Sequence, residues 1–137
     1  MTKAESILQT LFAEITTALP TFKVARSRTA SIGEVEMPFI NIKPVTDEAL
    51  NYAQNITRQE LIVEFEFYLV PQDLPDTAVD VHMQTLHQTI VNSAALQALV
   101  ANVRYSGRQW QFQDADGNAN KLTASYAFIY LNPNTSL

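Results

Sequence analysis

The sequence predicts an α+β domain in which an antiparallel or mixed β-sheet carries two main helices on one face. Three observations lead there. An amphipathic helical stripe opens the chain between Ile7 and Leu19, and a strongly alternating strand, Gln59 to Val70, lies near its middle. A second helical stripe then separates that strand from a closing hairpin. Strands that come in consecutive groups with one helix between them favour antiparallel or mixed pairing over a doubly wound parallel sheet.

Each element follows from its residues. Ile7, Leu8, Leu11, Phe12, Ile15 and Leu19 recur at the spacing of one helical face. Thr2 with Glu5 forms a capping-box pattern upstream, and Pro20 stops the helix. Phe22, Val24, Arg26 and Arg28 alternate with Lys23, Ala25 and Ser27, which predicts a strand whose arginines continue the parity of its apolar pair. Residues 29–37, with Gly33, read as a loop. Phe39 to Lys43 is a short strand bracketed by Pro38 and Pro44, a setting that suits an edge or a strand end. The polar stretch 45–58 lacks a period and reads as a connection.

In the middle strand, Leu61, Val63, Phe65, Phe67 and Leu69 point one way, and Ile62, Glu64, Glu66, Tyr68 and Val70 the other. Pro71 and Pro75 flank a turn, after which Asp76 is placed as the N-cap of a helix with Val79, Met83, Leu86 and Ile90 inward. Leu96, Leu99 and Val100 suggest a further helical turn. Val103 to Gln113 and Leu122 to Leu131 make a hairpin about Asp114-Ala-Asp-Gly-Asn118. With two helices on one face, the other is left carrying Ile62, Tyr68, Val70 and aromatic residues, a half-apolar surface that calls for a partner.

Composition narrows the function classes. The 137 residues make one domain, long enough to bury about two-thirds of the unfolded surface. Charged residues are 17% of the chain against about 25% in typical domains, as in a chain that hides surface in an oligomer. The absence of cysteine excludes disulfides, thiolate zinc sites and thiol nucleophiles. Net charge −5 argues against a dedicated nucleic-acid binder. The Met1-Thr2-Lys3-Ala4-Glu5 start leads into no apolar signal core, and Leu61 to Val70 is too short to span a bilayer, so a soluble cytoplasmic protein is expected.

The motifs for chemistry are incomplete. Asp114, Asp116 and Asn118 match the first calcium-loop positions, but Ala119 and Ser125 stand where the glycine and the bidentate glutamate belong, so a plain hairpin turn is the reading taken. His82 and His87 are five apart, not the four that put two zinc ligands on one helix face, and are read as solvated or partly packed. Glu64 and Glu66 share a strand face, where a carboxylate pair could serve acid–base chemistry; a solvated face, or pairing with arginines of a neighbouring strand or subunit, is the simpler reading. No Gly-x-Ser-x-Gly is present, and three glycines cannot supply a phosphate-cradling loop. Tyr126, Phe128 and Tyr130 with Trp110 and Phe112 are taken as core packing or cross-strand pairs. Neither an enzyme, a cofactor nor a metal site is expected. Arg26, Arg28, Arg104 and Arg108 remain, read either as solvated strand ends, as complements to acidic faces of neighbouring subunits, or as a basic lining where DNA passes.

The whole-chain pattern resembles a known family. The opening helix leads to Val24-Ala-Arg26, then Pro38-Phe-Ile-Asn-Ile42, a long polar stretch and Glu60-Leu-Ile-Val-Glu-Phe-Glu-Phe67. The Asp76 to Val91 helix, the turn at Leu96 and Leu99, and Tyr126-Ala-Phe-Ile-Tyr130 complete it. From about Ala4 to Leu131 this order looks like the tail terminator (minor tail protein U-like) family of long-tailed bacteriophages and their prophages. The resemblance implies an α/β sandwich and a homo-oligomeric ring of six subunits that caps the tail tube, ends tube polymerisation and offers the head-docking surface. It implies as partners the tail tube protein and a head-completion or connector protein, with DNA passing through the lumen without sequence-specific binding. The expected place is the host cytoplasm during assembly, then the head-proximal end of the virion tail. Related connector and tail completion proteins share the architecture, and a small non-enzymatic ligand- or partner-binding module is the alternative. On this reading Arg26, Arg28, Glu64, Glu66, Arg104 and Arg108 are the expected subunit or tube interface, since a ring needs two unlike, complementary surfaces.

Overall fold

Apolar periodicity decides which side of each element turns inward, and the computed structural model, which describes residues 1–30, 32–53, 55–69, 75–111 and 120–133, shows the result. The order is α1 (Lys3–Ala18), β1 (Lys23–Arg26), a 3-10 turn (Glu34–Glu36), β2 (Phe39–Ala53), β3 (Ile56–Leu69), α2 (Pro75–Asn92), α3 (Ala94–Gln97), β4 (Asn102–Gln111) and β5 (Asn120–Pro133). The strands form one sheet ordered β1-β2-β3-β5-β4. β1 pairs with β2 in parallel and the other pairs are antiparallel, so the sheet is mixed and the fold α+β, as predicted.

One face of the sheet lies under the helices. Ile40, Ile42, Leu61, Val63, Phe65, Phe67, Leu122, Ala124, Tyr126 and Phe128 meet Ile7, Leu11 and Ile15 of α1 and Val79, Met83, Leu86 and Ile90 of α2 in one core. Phe12, at the margin of the α1 stripe, is 37% exposed instead of buried with it. Thr2 caps α1 by accepting from the Glu5 N–H, but the Glu5 carboxylate does not return to close the capping box: it reaches Arg26. α2 begins at Pro75, one residue before the expected cap, where a missing N–H costs nothing.

Ser93 joins two helices. Its hydroxyl accepts from the Leu96 N–H at 3.1 Å, capping α3, and donates to Glu14 of α1 at 2.8 Å. Ser93→Ala is expected to lower stability by about 1–2 kcal/mol in urea unfolding, more than a cap at an exposed helix end.

The largest departure from the sequence reading is β2. The predicted strand Phe39 to Lys43 continues through Pro44 to Ala53, and the expected connection 45–58 is the remainder of β2 and the start of β3. Proline is tolerated because β1 partners only Phe39–Ile42, leaving Pro44 beyond the last paired residue. Irregularities between Pro44 and Thr46 and between Ala49 and Asn51 break the two-residue period. Residues 45–50 are exposed on both faces, so no alternation of polarity is required of them. Val70, Pro71, Phe112 and the predicted Asp114–Asn118 turn lie outside the described residues.

Candidate assembly surfaces

The predicted charged residues do not form one patch. Arg26 lies opposite Ile42, on the helix-covered face, and makes a bidentate pair with Glu5 at 2.7 and 3.0 Å. Ser27 has φ 56°, a left-handed residue that interrupts the alternation. Arg28 therefore departs from the Arg26 face: its guanidinium lies over the Phe39 ring at 5.3 Å and binds Glu36, Nη2 to Oε2 at 2.9 Å. These bonds hold both carboxyls below their ordinary value.

Arg104 and Arg108 are split in the same way. Arg104 is opposite Ala127 on the outer face and binds Glu60 at 3.0 Å. A bulge between Tyr105 and Gly107 turns Arg108 to the helix side, opposite Ala124, where it binds Asp80 of α2 at 3.2 Å and lies 4.7 Å over Trp110. Trp110 is 40% exposed, so the aromatic set does not pack as one core cluster; Tyr126, Phe128 and Tyr130 are buried.

Glu64 and Glu66 do share the outer face, opposite Lys43 and Asn41. Glu66 is nearly buried: its carboxylate takes the Lys121 ammonium at 2.8 Å and the Asn41 amide at 3.0 Å. Burial pushes this carboxyl up, but the bonds from Lys121 and Asn41 outweigh it and hold the group below its ordinary value. Lys43, Lys121, Thr123 and Gln109 surround the pair, making this face polar instead of half-apolar; Ile62 and Tyr68 are only partly exposed. The histidines are packed: His82 meets the Phe22 ring edge-on at 4.8 Å, and burial pushes it down. His87 Nδ1 is 2.8 Å from the Tyr126 hydroxyl. No group of three or more metal-ligating side chains occurs, and no helix is long and apolar enough to cross a membrane, among the described residues.

Two features escaped the sequence. The first is a groove of ≈ 540 Å³ between α2 and β4, lined by Asp80, Met83, Gln84, His87, Tyr105 and Arg108. The second is the end of the sheet. On its inner side Asp47 accepts from the Tyr130 hydroxyl at 2.8 Å and from the Gln59 amide, whose oxygen accepts from Asn132. On its outer side Glu48 and Glu60 are directly opposite each other. The only legible sign of this arm was its length of polar sequence. No protein-family model matches the chain, and comparison with curated proteins gives no match either.

Proposed function

We propose that this chain is a structural assembly protein of the tail-terminator kind: a ring subunit that caps a tail tube, ends its polymerisation and presents the head-docking surface. The observation that carries the reading is that the sheet has two unlike open edges on opposite sides. Among the described residues β4 has no strand beyond it, and β2 has none on its outer side after Ile42. A ring closes through heterologous contacts, so each subunit needs two different complementary surfaces, and two unlike open edges support that reading. The partners of such a ring are its own copies, the tail tube protein and a head-completion or connector protein, with DNA crossing the lumen. Its place is the head-proximal end of a virion tail.

The alternative of a small-molecule binding module finds less support. Binding pockets are lined mainly by apolar side chains with a few convergent polar groups. The α2–β4 groove has Met83 as its one wholly apolar lining side chain among the described residues, and the Arg108–Asp80 pair bridges it.

Light scattering on a sizing column, across protein and salt concentration, is expected to give a hexamer-sized species. A protein that stays monomeric and also fails to cap purified tail tubes would end this reading. Charge reversal at Arg26 and Arg28 tests whether that pair acts between subunits or only within one, through Glu5 and Glu36.

A further inference from the structure

Edges of β-sheets are templates for pairing, and proteins blunt them with prolines, bulges and charge. Both open edges here carry such devices, which divide each edge into short regular windows. On β2, Thr46–Ala49 lies between the two irregularities; on β4, the bulge separates Asn102–Tyr105 from Gly107–Gln111, whose Arg108 is already bound to Asp80 of the same chain. The Thr46–Ala49 and Asn102–Tyr105 windows have opposite charge. Thr46–Ala49 carries Asp47 and Glu48 and no cation, while Asn102–Tyr105 carries Arg104 and no anion.

The acidic window also contains an uncompensated contact. Glu48 and Glu60 are directly opposite on the outer face, an arrangement that destabilises a sheet. Arg104 neutralises Glu60, but Glu48 is in no ion pair among the described residues and is exposed. Val45 and Leu50 flank this window at 49% and 45% exposure, and Tyr105 at the other edge is 41% exposed.

Strand direction completes the fit. β2 is antiparallel to β3, β3 to β5 and β5 to β4, so β4 runs opposite to β2. Rotation about an axis along the strands preserves direction, and β4 of one copy therefore meets β2 of the next as an antiparallel pair. The incoming strand takes the column that β1 vacates after Arg26.

We propose that the occupant of each open edge is a second copy of this chain: the Asn102–Tyr105 edge of one subunit pairs with the Thr46–Ala49 edge of the next, continuing the sheet across the junction. In the register that keeps both faces continuous, Glu48 lies opposite Arg104, Asp47 opposite Tyr105 and Ala49 opposite Val103. Arg104 then bridges Glu60 of its own chain and the neighbour's Glu48, relieving the paired carboxylates. The inference rests on the self-assembly part of the reading above and not on the tail.

The chain has no cysteine, so engineered thiols report the junction without background. Full-length Glu48→Cys and Arg104→Cys proteins are prepared separately, mixed at high concentration and treated with a short bis-maleimide. A covalent dimer is expected in the mixture and in neither protein alone. The Arg104 side chain is 58% exposed, and the fold is expected to tolerate its loss. Separately, Glu48→Arg is expected to weaken self-association roughly tenfold or more by facing two cations, with Arg104→Glu in the same chain restoring most of it. Cross-linking of one variant with itself means a back-to-back contact and overturns the proposal. Absence of cross-linking in the mixture at every concentration also overturns it, and if oligomers persist, the ring reading stands with another junction. A junction that cross-links in a protein unable to cap tubes supports the inference and removes the tail assignment.

Discussion

Phe65→Ala is expected to lower the stability of the chain by about 3–5 kcal/mol, the largest effect of any single truncation considered. Phe65 has no exposed surface and sits on β3, the central strand of five. Its cross-strand neighbours are Ile42 and Ala124, and its ring meets Tyr126 edge-on at 5.6 Å. The void left by the ring could close only if these neighbours moved. Ala124 is too small to fill it, the strands on both sides are locked in register, and Tyr126 is held through its hydroxyl by His87. Cost follows the residual cavity, so a site that cannot collapse lies at the upper end of the range. Against the total of about 5–15 kcal/mol typical of domains, the variant would be marginal. Phe12→Ala provides the comparison: the same chemistry removed from a side chain at the margin of α1 is expected to cost under about 1 kcal/mol. Equal midpoints for the two variants in urea would mean that β3 is not the centre of the core.

Much of the fold was legible because burial on one side imposes a period. Apart from Phe12, the α1 and α2 stripes face the core that their spacing predicted, and so do Leu61, Val63, Phe65, Phe67 and Leu69 of β3. The outer half of β2 was illegible for the complementary reason. A strand exposed on both faces has no side to hide, so its sequence carries no alternation, and Pro44 with two irregularities removes what remains. The arginines lie on different faces for another reason. Parity arguments hold only while the backbone stays extended, and one left-handed residue at Ser27 and one bulge after Tyr105 each reversed a face. Their partners were invisible too: Glu5 is 21 positions from Arg26 and Glu60 is 44 from Arg104. Glu5 in particular has two chemically sound uses, as capping-box partner and as ion-pair partner. Only the tertiary position of β1 beside α1 decides between them.

Lys121→Met is expected to cost about 3 kcal/mol at neutral pH and to make the loss pH-dependent. The mechanism lies with Glu66, whose side chain is 8% exposed and therefore depends on Lys121 and Asn41 in place of water. Removing the ammonium while keeping the aliphatic stem leaves a buried carboxylate with one neutral donor and the Tyr68 hydroxyl at 3.4 Å. In the native chain the Glu66 pKa is below its ordinary value near 4.5. The unfolded chain then binds the proton first as pH falls, so the stability from this group is complete above pH 4.5 and is lost as pH drops through the folded pKa. Lys121 works in the opposite direction: its raised pKa gives stability that is complete below its ordinary value near 10.5 and is lost as pH rises through the folded pKa. Without the ammonium, burial dominates at Glu66 and its pKa moves above the unfolded value, so protonation now favours the folded state. The gap between native and variant proteins is therefore largest near pH 7 and narrows towards pH 4. Urea unfolding at several pH values measures it, with Glu66→Gln as the chain that lacks the acid-side titration of this group. A gap that stayed constant across that range would mean that Lys121 acts through its ammonium over the Tyr68 ring, 5.5 Å from the ring centroid, and not through its charge on Glu66.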